Sequence, residues 1–298
     1  MPQPLAPAEM YPAGHLEISE RFLALRSGIS VRVAERGPSD GAPVVMLPGW
    51  GTPVYMFRHA FDRLPARALR VIGTELRGFG LSSKPRARGA YGIDAYCADV
   101  DALLDALALP SALLLGQSMG GGLALHYAMR HPERVQALAL VNPTGLAGMP
   151  LLRLVGFTPP EVVGLLGRRM TPRWLISFIL RNLAYGDASR VSERDVDEYW
   201  APTQLPGFVY AAQSALREFD WSRLSDEAAA SIAAPALVIL GDSDRLVRST
   251  RGDAERLASA SVQVLGGGHC VHEERPDEAY ALIGDWFARH GRHEASTK

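Results

Sequence analysis

A serine stands between closely spaced glycines at positions 116–120, where the chain reads Gly-Gln-Ser-Met-Gly. The apolar run at 113–115 is typical of a buried strand, and residues 123–128 are typical of a helix. Small residues at both ends of the turn let strand and helix pass closely, and the helix N-terminus favours negative charge there. A glycine-rich turn without chemistry is the alternative, but the flanking elements favour Ser118 as a nucleophile.

Short apolar runs that could position this turn recur along the chain. Each is four or five residues long, as expected for strands of a parallel sheet that is covered on both faces. They lie at 44–47, 71–74, 112–115, 137–141, 236–240 and 262–265. Residues 93–107 have apolar side chains at helical spacing, and a final helix is predicted over 276–289. The order of strands and helices predicts an α/β fold with a doubly wound, mostly parallel sheet.

The pattern changes between about residues 143 and 225. Strand-like runs stop there, and glycines and prolines separate apolar helical stretches such as 151–155 and 174–180. A helical block inserted between strands of one sheet predicts a lid over the sheet edge where ligands bind. The predicted domains are therefore a core of residues 1–142 and 226–298, with a helical lid insertion at 143–225.

Four segments, at 47–51, 116–120, 241–247 and 266–276, together resemble the α/β-hydrolase superfamily. The resemblance is to its lid-bearing serine-esterase and epoxide-hydrolase-like branch, and it extends from about residue 22 to residue 288. It implies the α/β-hydrolase fold and a catalytic triad in the chain order serine, acid, histidine.

Residues 47–51, which read Leu-Pro-Gly-Trp-Gly, resemble the oxyanion turn of that family, with Pro48 where histidine is usual. The resemblance implies that the backbone N–H groups of Trp50 and Met119 stabilise a tetrahedral oxyanion. Because both donors are backbone groups, the missing histidine need not matter. The alternative is a plain glycine-rich turn in which Trp50 is a pocket wall.

The chain order selects the base and the acid. Residues 266–276 resemble the family's G-H-x-x-x-x-E-x-P loop, which implies that His269 is the base and gives His272 a structural position. In 241–247 the pattern G-x-x-D implies Asp244 as the acid, while the neighbouring Asp242 could instead cap the turn. Some relatives have the acid after the preceding strand, but that position is Asn142 here, which cannot be charged.

Two other groups of charged residues have structural interpretations. Residues 74–82 resemble the family's D-x-R-G-x-G-x-S segment, and Glu75, which replaces the aspartate, is interpreted as part of a loop held by charge and turn glycines. Asp94, Asp99, Asp101 and Asp105 have helical spacing, which predicts a solvated helix face rather than a metal site. The sequence has no phosphate loop, dinucleotide fingerprint or metal-ligand cluster, so no cofactor and no metal are expected.

The predicted lid is rich in apolar and aromatic residues. Most of them are expected to pack the lid against the core, and the rest imply an apolar or aromatic pocket. The candidates for its wall are Phe157, Trp174, Phe178, Tyr185 and Phe208.

Composition and charge limit the classes of partner that this protein is expected to bind. The 298 residues have a formal net charge of -1, which argues against nucleic acid. The two cysteines, Cys97 and Cys270, are too far apart in sequence for a disulfide framework or a zinc site. The sequence has no secretory signal and no apolar run of membrane-spanning length, so a cytoplasmic protein without stable membrane insertion is expected. The sequence leaves the oligomeric state open.

The predicted function is hydrolysis of small apolar or aromatic carboxylic esters through an acyl-enzyme on Ser118. Relatives that hydrolyse epoxides or haloalkanes have aspartate at the nucleophile position, so the serine argues against those activities. C–C bond hydrolases, lactonases, perhydrolases and acyltransferases use the same triad and remain alternatives. A ligand receptor on a hydrolase scaffold is the non-enzymatic alternative.

Overall fold

One sheet of eight strands runs through residues 3–148 and 171–291, the part of the chain that the computed structural model describes. The strands are β1 (Ser19–Ala24), β2 (Ser30–Arg36), β3 (Ala42–Leu47), β4 (Leu69–Thr74), β5 (Ala112–Gln117), β6 (Val135–Val141), β7 (Ala236–Gly241) and β8 (Ala260–Leu265). Their order in the sheet is β1-β2-β4-β3-β5-β6-β7-β8. Pairing is antiparallel from β1 to β2 and from β2 to β4, and parallel everywhere else. The predicted doubly wound, mostly parallel sheet is confirmed.

Helices cover both faces of this sheet. They are α1 (Arg58–Arg63), α2 (Ile93–Ala106), α3 (Met119–Arg130), α4 (Arg173–Ile179), α5 (Glu193–Trp200), α6 (Phe208–Glu218), α7 (Asp226–Ala230), α8 (Arg251–Ala254), α9 (Val271–Glu274) and α10 (Pro276–His290). Between the sheet and these helices lie two apolar clusters, one on each face. Burial on both faces explains why the central strands read as continuous apolar runs.

The parallel pairing of β3 to β8 brings the carboxyl ends of six strands to one edge. Leu47 of β3 pairs with Gly116 of β5, and Gln117 of β5 pairs with Val141 of β6. Further along the sheet, Gly241 of β7 pairs with Leu265 of β8. The segments that follow these strands contain every residue that the sequence motifs single out for catalysis, so the topology gathers them at one edge.

The described residues between β6 and β7 form helices joined by turns and loops, with no strand among them, and they include a π-helical turn at Leu180–Ala184. Helix α6 contacts the core at this edge, since the indole Nε1 of Trp50 donates to the carbonyl of Ala212 over 3.0 Å. Within residues 3–148 and 171–291, no helix has both the length and the hydrophobicity to span a membrane. The lid boundaries at 143 and 225 remain a prediction.

Helix α2 corrects one expectation. Asp99 does not lie on a solvated face, because it is buried and pairs with the Arg77 guanidinium, with both N···O distances at 2.5 Å. Asp101 is also largely covered, and it accepts a hydrogen bond from the Tyr127 hydroxyl at 3.0 Å. The apolar period of α2 could not reveal that the loop after β4 places a guanidinium beside it.

Candidate active site

Ser118 lies in a strained turn between β5 and α3. Its backbone has φ 52° and ψ -119°, a conformation that costs a non-glycine residue about 1–3 kcal/mol. Three backbone hydrogen bonds hold it there: Ser118 N–H donates to Val141, and the Ser118 carbonyl accepts from Gly122 and Thr144, each at 3.0 Å. The predicted strand–turn–helix context of this serine is confirmed.

The glycines of this turn fit the predicted steric role. A Cβ on Gly116 would lie 2.6 Å from the carbonyl oxygen of Gly120, and a Cβ on Gly120 would overlap the carbonyl oxygen of Leu47. Both positions therefore need glycine for α3 to pass so close to β5 and to the end of β3.

The turn after β3 lies against the serine. A Cβ on Gly49 would be 3.4 Å from the Cβ of Ser118 and 2.5 Å from Oε1 of Gln117, so a side chain at position 49 would displace the Gln117 amide. Trp50 follows in the same turn. Met119 is the first residue of α3, where helix geometry leaves the N–H without an intrahelical acceptor. The two predicted oxyanion donors thus belong to segments that adjoin Ser118 from two sides.

The predicted acid and base form a direct pair. Nδ1 of His269 lies 2.8 Å from Oδ2 of Asp244, and their side chains are 8% and 3% exposed. The other carboxylate oxygen, Oδ1 of Asp244, accepts from the N–H groups of Leu246 at 2.7 Å and Val247 at 3.0 Å. Because one oxygen is held by the backbone, the other is fixed toward the imidazole.

Asp242, the competing candidate, does not contact the imidazole of His269 among the described contacts. Its Oδ1 accepts from the N–H of Gly267 at 3.1 Å, and the residue is exposed. This contact joins the loop after β7 to the loop after β8, so Asp242 has a structural contact across two loops rather than the cap of its own turn that the sequence left open.

Glu274 is a residue that sequence reasoning left without a role. Its buried carboxylate accepts from the N–H groups of Gly268 at 2.6 Å, Gly186 at 3.0 Å and Asp187 at 2.9 Å. It therefore joins the segment before His269 to the turn after the π-helical segment. Glu274 is the glutamate of the G-H-x-x-x-x-E-x-P motif, and this motif position was the one sign in the sequence that it has a role.

A buried polar cluster lies beneath this histidine segment. Arg58 pairs with Glu273 and, at 2.9 Å, with Asp195 of α5. The Tyr199 hydroxyl donates to Glu273 over 2.6 Å, and burial together with this carboxylate raises the pKa of Tyr199 well above its usual range. Ion pairs in this cluster link α1, α5 and α9. The spacing of apolar residues in the sequence could not predict these contacts.

His272 lies beside that cluster as a buried, neutral ring. It is flanked by the rings of Phe57 and Tyr280, at centroid distances of 5.9 and 6.3 Å. Burial, with a smaller contribution from the nearby Arg58 charge, lowers the pKa of His272 to about 3. The structural position predicted for this histidine agrees with its burial.

Glu75 has the structural role that the sequence suggested. Its buried carboxylate accepts from the N–H of Leu81 at 2.6 Å and the Arg32 guanidinium at 3.2 Å. A Cβ on Gly80 would overlap this carboxylate, and Gly80 has φ 50°. Charge and a turn glycine together hold the loop after β4.

The candidate pocket residues are scattered. In α4, Trp174 and Phe178 are 69% and 51% exposed. Tyr185 is buried against the segment before His269, and Phe208 is buried at the start of α6, beside Gly51. Phe157 lies outside the described residues. Whether these side chains line a pocket stays a prediction.

In the described ranges, no three His, Cys, Asp or Glu side chains are grouped so that they could hold a metal ion.

Comparisons with known proteins agree with this fold. A family model described as "alpha/beta hydrolase fold" matches residues 42–276. Epoxide hydrolase A of Mycobacterium tuberculosis is 29% identical, over 86% of this chain and 94% of that protein. The 2-hydroxymuconate semialdehyde hydrolase of Pseudomonas sp. strain CF600 is 30% identical, over 93% of this chain and 96% of that protein.

The crystal structure of Epoxide Hydrolase A from Mycobacterium thermoresistibile superimposes with a TM-score of 0.78 at 24% identity, covering 93% of this chain and 100% of that one. The chain therefore belongs to the alpha/beta hydrolase fold family, as a hydrolase of the epoxide-hydrolase-like branch that its motifs predict.

Proposed function

We propose that this protein hydrolyses carboxylic esters through an acyl-enzyme on Ser118. The observation that supports this best is the 2.8 Å contact between Nδ1 of His269 and Asp244, on segments that meet the strained Ser118 turn at one sheet edge. A carboxylate bound to Nδ1 orients the imidazole and leaves Nε2 as the nitrogen that exchanges protons.

In the proposed mechanism, Oγ of Ser118 attacks the ester carbonyl carbon while Nε2 of His269 takes the hydroxyl proton. The carbonyl electron pair moves onto oxygen, and the N–H groups of Trp50 and Met119 donate to that oxyanion. His269 then protonates the leaving alkoxide as the tetrahedral intermediate collapses to the acyl-enzyme. Water, deprotonated by His269, releases the acid by the same steps and restores Ser118.

The type of nucleophile supports an acyl substrate over an epoxide. A carboxylate that opens an epoxide gives an ester, which water can cleave again. A serine that opened an epoxide would give an ether, which the same site could not hydrolyse. Ser118 therefore fits a carbonyl substrate, although one relative is named an epoxide hydrolase.

We also propose that residues 143–225 form a lid over this site, with residues 1–142 and 226–298 as the core. The support is the Trp50–Ala212 hydrogen bond and the Phe208 ring, whose Cζ lies 3.6 Å from the place of a Cβ on Gly51. An aromatic ring beside the oxyanion turn favours a small apolar or aromatic ester.

The test is Ser118→Ala, assayed with p-nitrophenyl acetate and butyrate. We expect loss of catalysed p-nitrophenol release with an unchanged unfolding transition, and labelling of the unchanged protein at Ser118 by a fluorophosphonate probe. Ser111→Ala is the matched control and should keep full activity, because Ser111 lies before β5, at the end opposite Ser118. Full esterase activity in Ser118→Ala would overturn the proposal.

Cleavage of a carbon–carbon bond next to a ketone is the second candidate. It is favoured by the 30% identical 2-hydroxymuconate semialdehyde hydrolase and by the Gly-x-Ser-Met-Gly-Gly elbow, which such enzymes often share. The comparison of kcat/KM for p-nitrophenyl butyrate and for a 2-hydroxy-6-oxo-dienoate separates the two candidates. A preference of 100-fold or more (on the order of 3 kcal/mol) for the dienoate would replace the ester assignment.

A further inference from the structure

Two buried carboxamide side chains converge on the main chain of the residue proposed as the base. Nδ2 of Asn142 donates to the carbonyl oxygens of Gly268 and His269, each at 3.0 Å. Nε2 of Gln117 donates to the same His269 carbonyl over 3.1 Å. Gln117 directly precedes Ser118, and Asn142 directly follows β6, so both donors come from the elements that fix the nucleophile.

Asn142 also contacts the segment that leads to the acid. Its Oδ1 accepts from the N–H of Gly241 at 2.9 Å, at the end of β7 and three residues before Asp244. The backbone of Asn142 has φ 42°, in the left-handed region that asparagine tolerates better than most residues, and its N–H donates to Ile239 over 2.9 Å. The side chain is thus held by its own backbone as well as by its partners.

We propose that Asn142 and Gln117 are positioning residues, which set the imidazole of His269 over Ser118 by fixing the main chain of residues 268–269. This inference rests on the proposed function. Through Asn142, one amide group ties the acid segment to the base segment, so that the Asp244–His269 pair moves as a unit relative to the serine.

The chemistry of the contacts requires a carboxamide at position 142. Two of the partners are carbonyl oxygens, which need a donor, and the third is an N–H, which needs an acceptor. An ionised carboxylate of the same shape would place an oxygen against two carbonyl oxygens 3.0 Å away and add a negative charge near the imidazole. An apolar side chain would leave the Gly268 carbonyl and the Gly241 N–H without this partner, and the His269 carbonyl with Gln117 alone. A neutral amide satisfies all three groups without adding charge.

The test compares Asn142→Asp with Gln204→Glu. The control makes the same change of amide to carboxylate at a side chain that donates to the Thr171 carbonyl at 2.8 Å, away from residues 266–270. We expect Asn142→Asp to lower kcat for p-nitrophenyl butyrate by about 10–100-fold with KM within about twofold, because a small displacement of a catalytic group costs rate rather than binding. Gln117→Glu should lower kcat in the same direction. We expect Gln204→Glu to keep wild-type kcat.

Two further readouts separate positioning from loss of folding. The added carboxylate stabilises the imidazolium, so the acid limb of the kcat/KM profile should move to higher pH in Asn142→Asp. Amide hydrogen exchange over residues 266–270 should become faster in Asn142→Asp and stay unchanged in Gln204→Glu, measured at a temperature where both variants are fully folded.

The outcomes distinguish this inference from the proposed function. If the unchanged protein cleaves no ester, the proposed function fails, and exchange over 266–270 still decides whether Asn142 holds this segment. Wild-type kcat together with wild-type exchange in Asn142→Asp would overturn the inference, as would equal effects in Gln204→Glu.

Discussion

The imidazole of His269 depends on one oxygen of Asp244 for its orientation. Asp244→Asn keeps the shape of the side chain but removes the negative charge that stabilises the developing imidazolium. We therefore expect kcat to fall by about 10³–10⁴-fold. Asp242→Asn should stay close to wild-type activity, since Asp242 contacts the Gly267 N–H instead. Ester kinetics on the two purified variants check this, and equal losses in both would contradict the assignment.

At this scale the sequence was enough to propose the catalytic side chains but not to find the residues that support them. Ser118, Asp244 and His269 each follow a short apolar run, so local pattern and chain order are enough to propose them. Asn142 entered the sequence argument only as a residue that cannot be the acid. Its three contacts join positions 99 to 127 residues apart, which no local pattern reveals.

The short helix α9 connects the base segment to the helical region through Glu274. In Glu274→Gln, the side-chain NH₂ would face N–H donors now bound by a carboxylate, so the free energy of unfolding should fall by about 2 kcal/mol. Glu278→Gln, at an exposed position in α10, is the matched control and should change stability by less than about 0.5 kcal/mol. Urea unfolding of both variants gives the comparison, and equal stabilities would contradict the role assigned to Glu274.

Among the elements, the apolar content of each segment decided what could be predicted. The six predicted strands are β3 to β8, whose side chains are mostly apolar. The antiparallel strand β1 was not predicted because it lies at the sheet edge with largely exposed side chains and has no apolar pattern. Strand β2 was missed although four of its seven residues are buried, because Arg32, Glu35 and Arg36 interrupt its apolar residues. Asp99 was predicted to lie on a solvated face because helical spacing gives no sign of its buried partner Arg77, which comes from the loop after β4.

For the whole molecule, the buried His272 predicts how stability responds to acid. Its pKa is lowered to about 3 in the folded state, while an unfolded chain has a histidine pKa of about 6.5, so the unfolded state binds more protons between these values. Stability from this group is therefore complete above pH 6.5 and is lost as the pH falls toward 3, by at most about 1.4 kcal/mol per pH unit.

His272→Gln, which cannot be protonated, should flatten the decline of unfolding free energy between pH 6 and 4. The surface substitution His15→Gln is the control. Urea titrations at a series of pH values measure the slope, and an unchanged slope in His272→Gln would contradict the buried neutral state.

The two cysteines have a practical consequence for solution studies of the proposed lid. Both are free and buried, burial raises the pKa of Cys97 to about 11, and burial with the Glu273 carboxylate raises that of Cys270 well above its usual range. Thiolates are the reactive form, so alkylating reagents should leave the native protein unmodified. The natural sequence is thus a ready background for attaching one spectroscopic label in α4 and another in the core, with no cysteine to remove first. The distance between two such labels would report directly how far the helical region moves when an acyl group occupies Ser118.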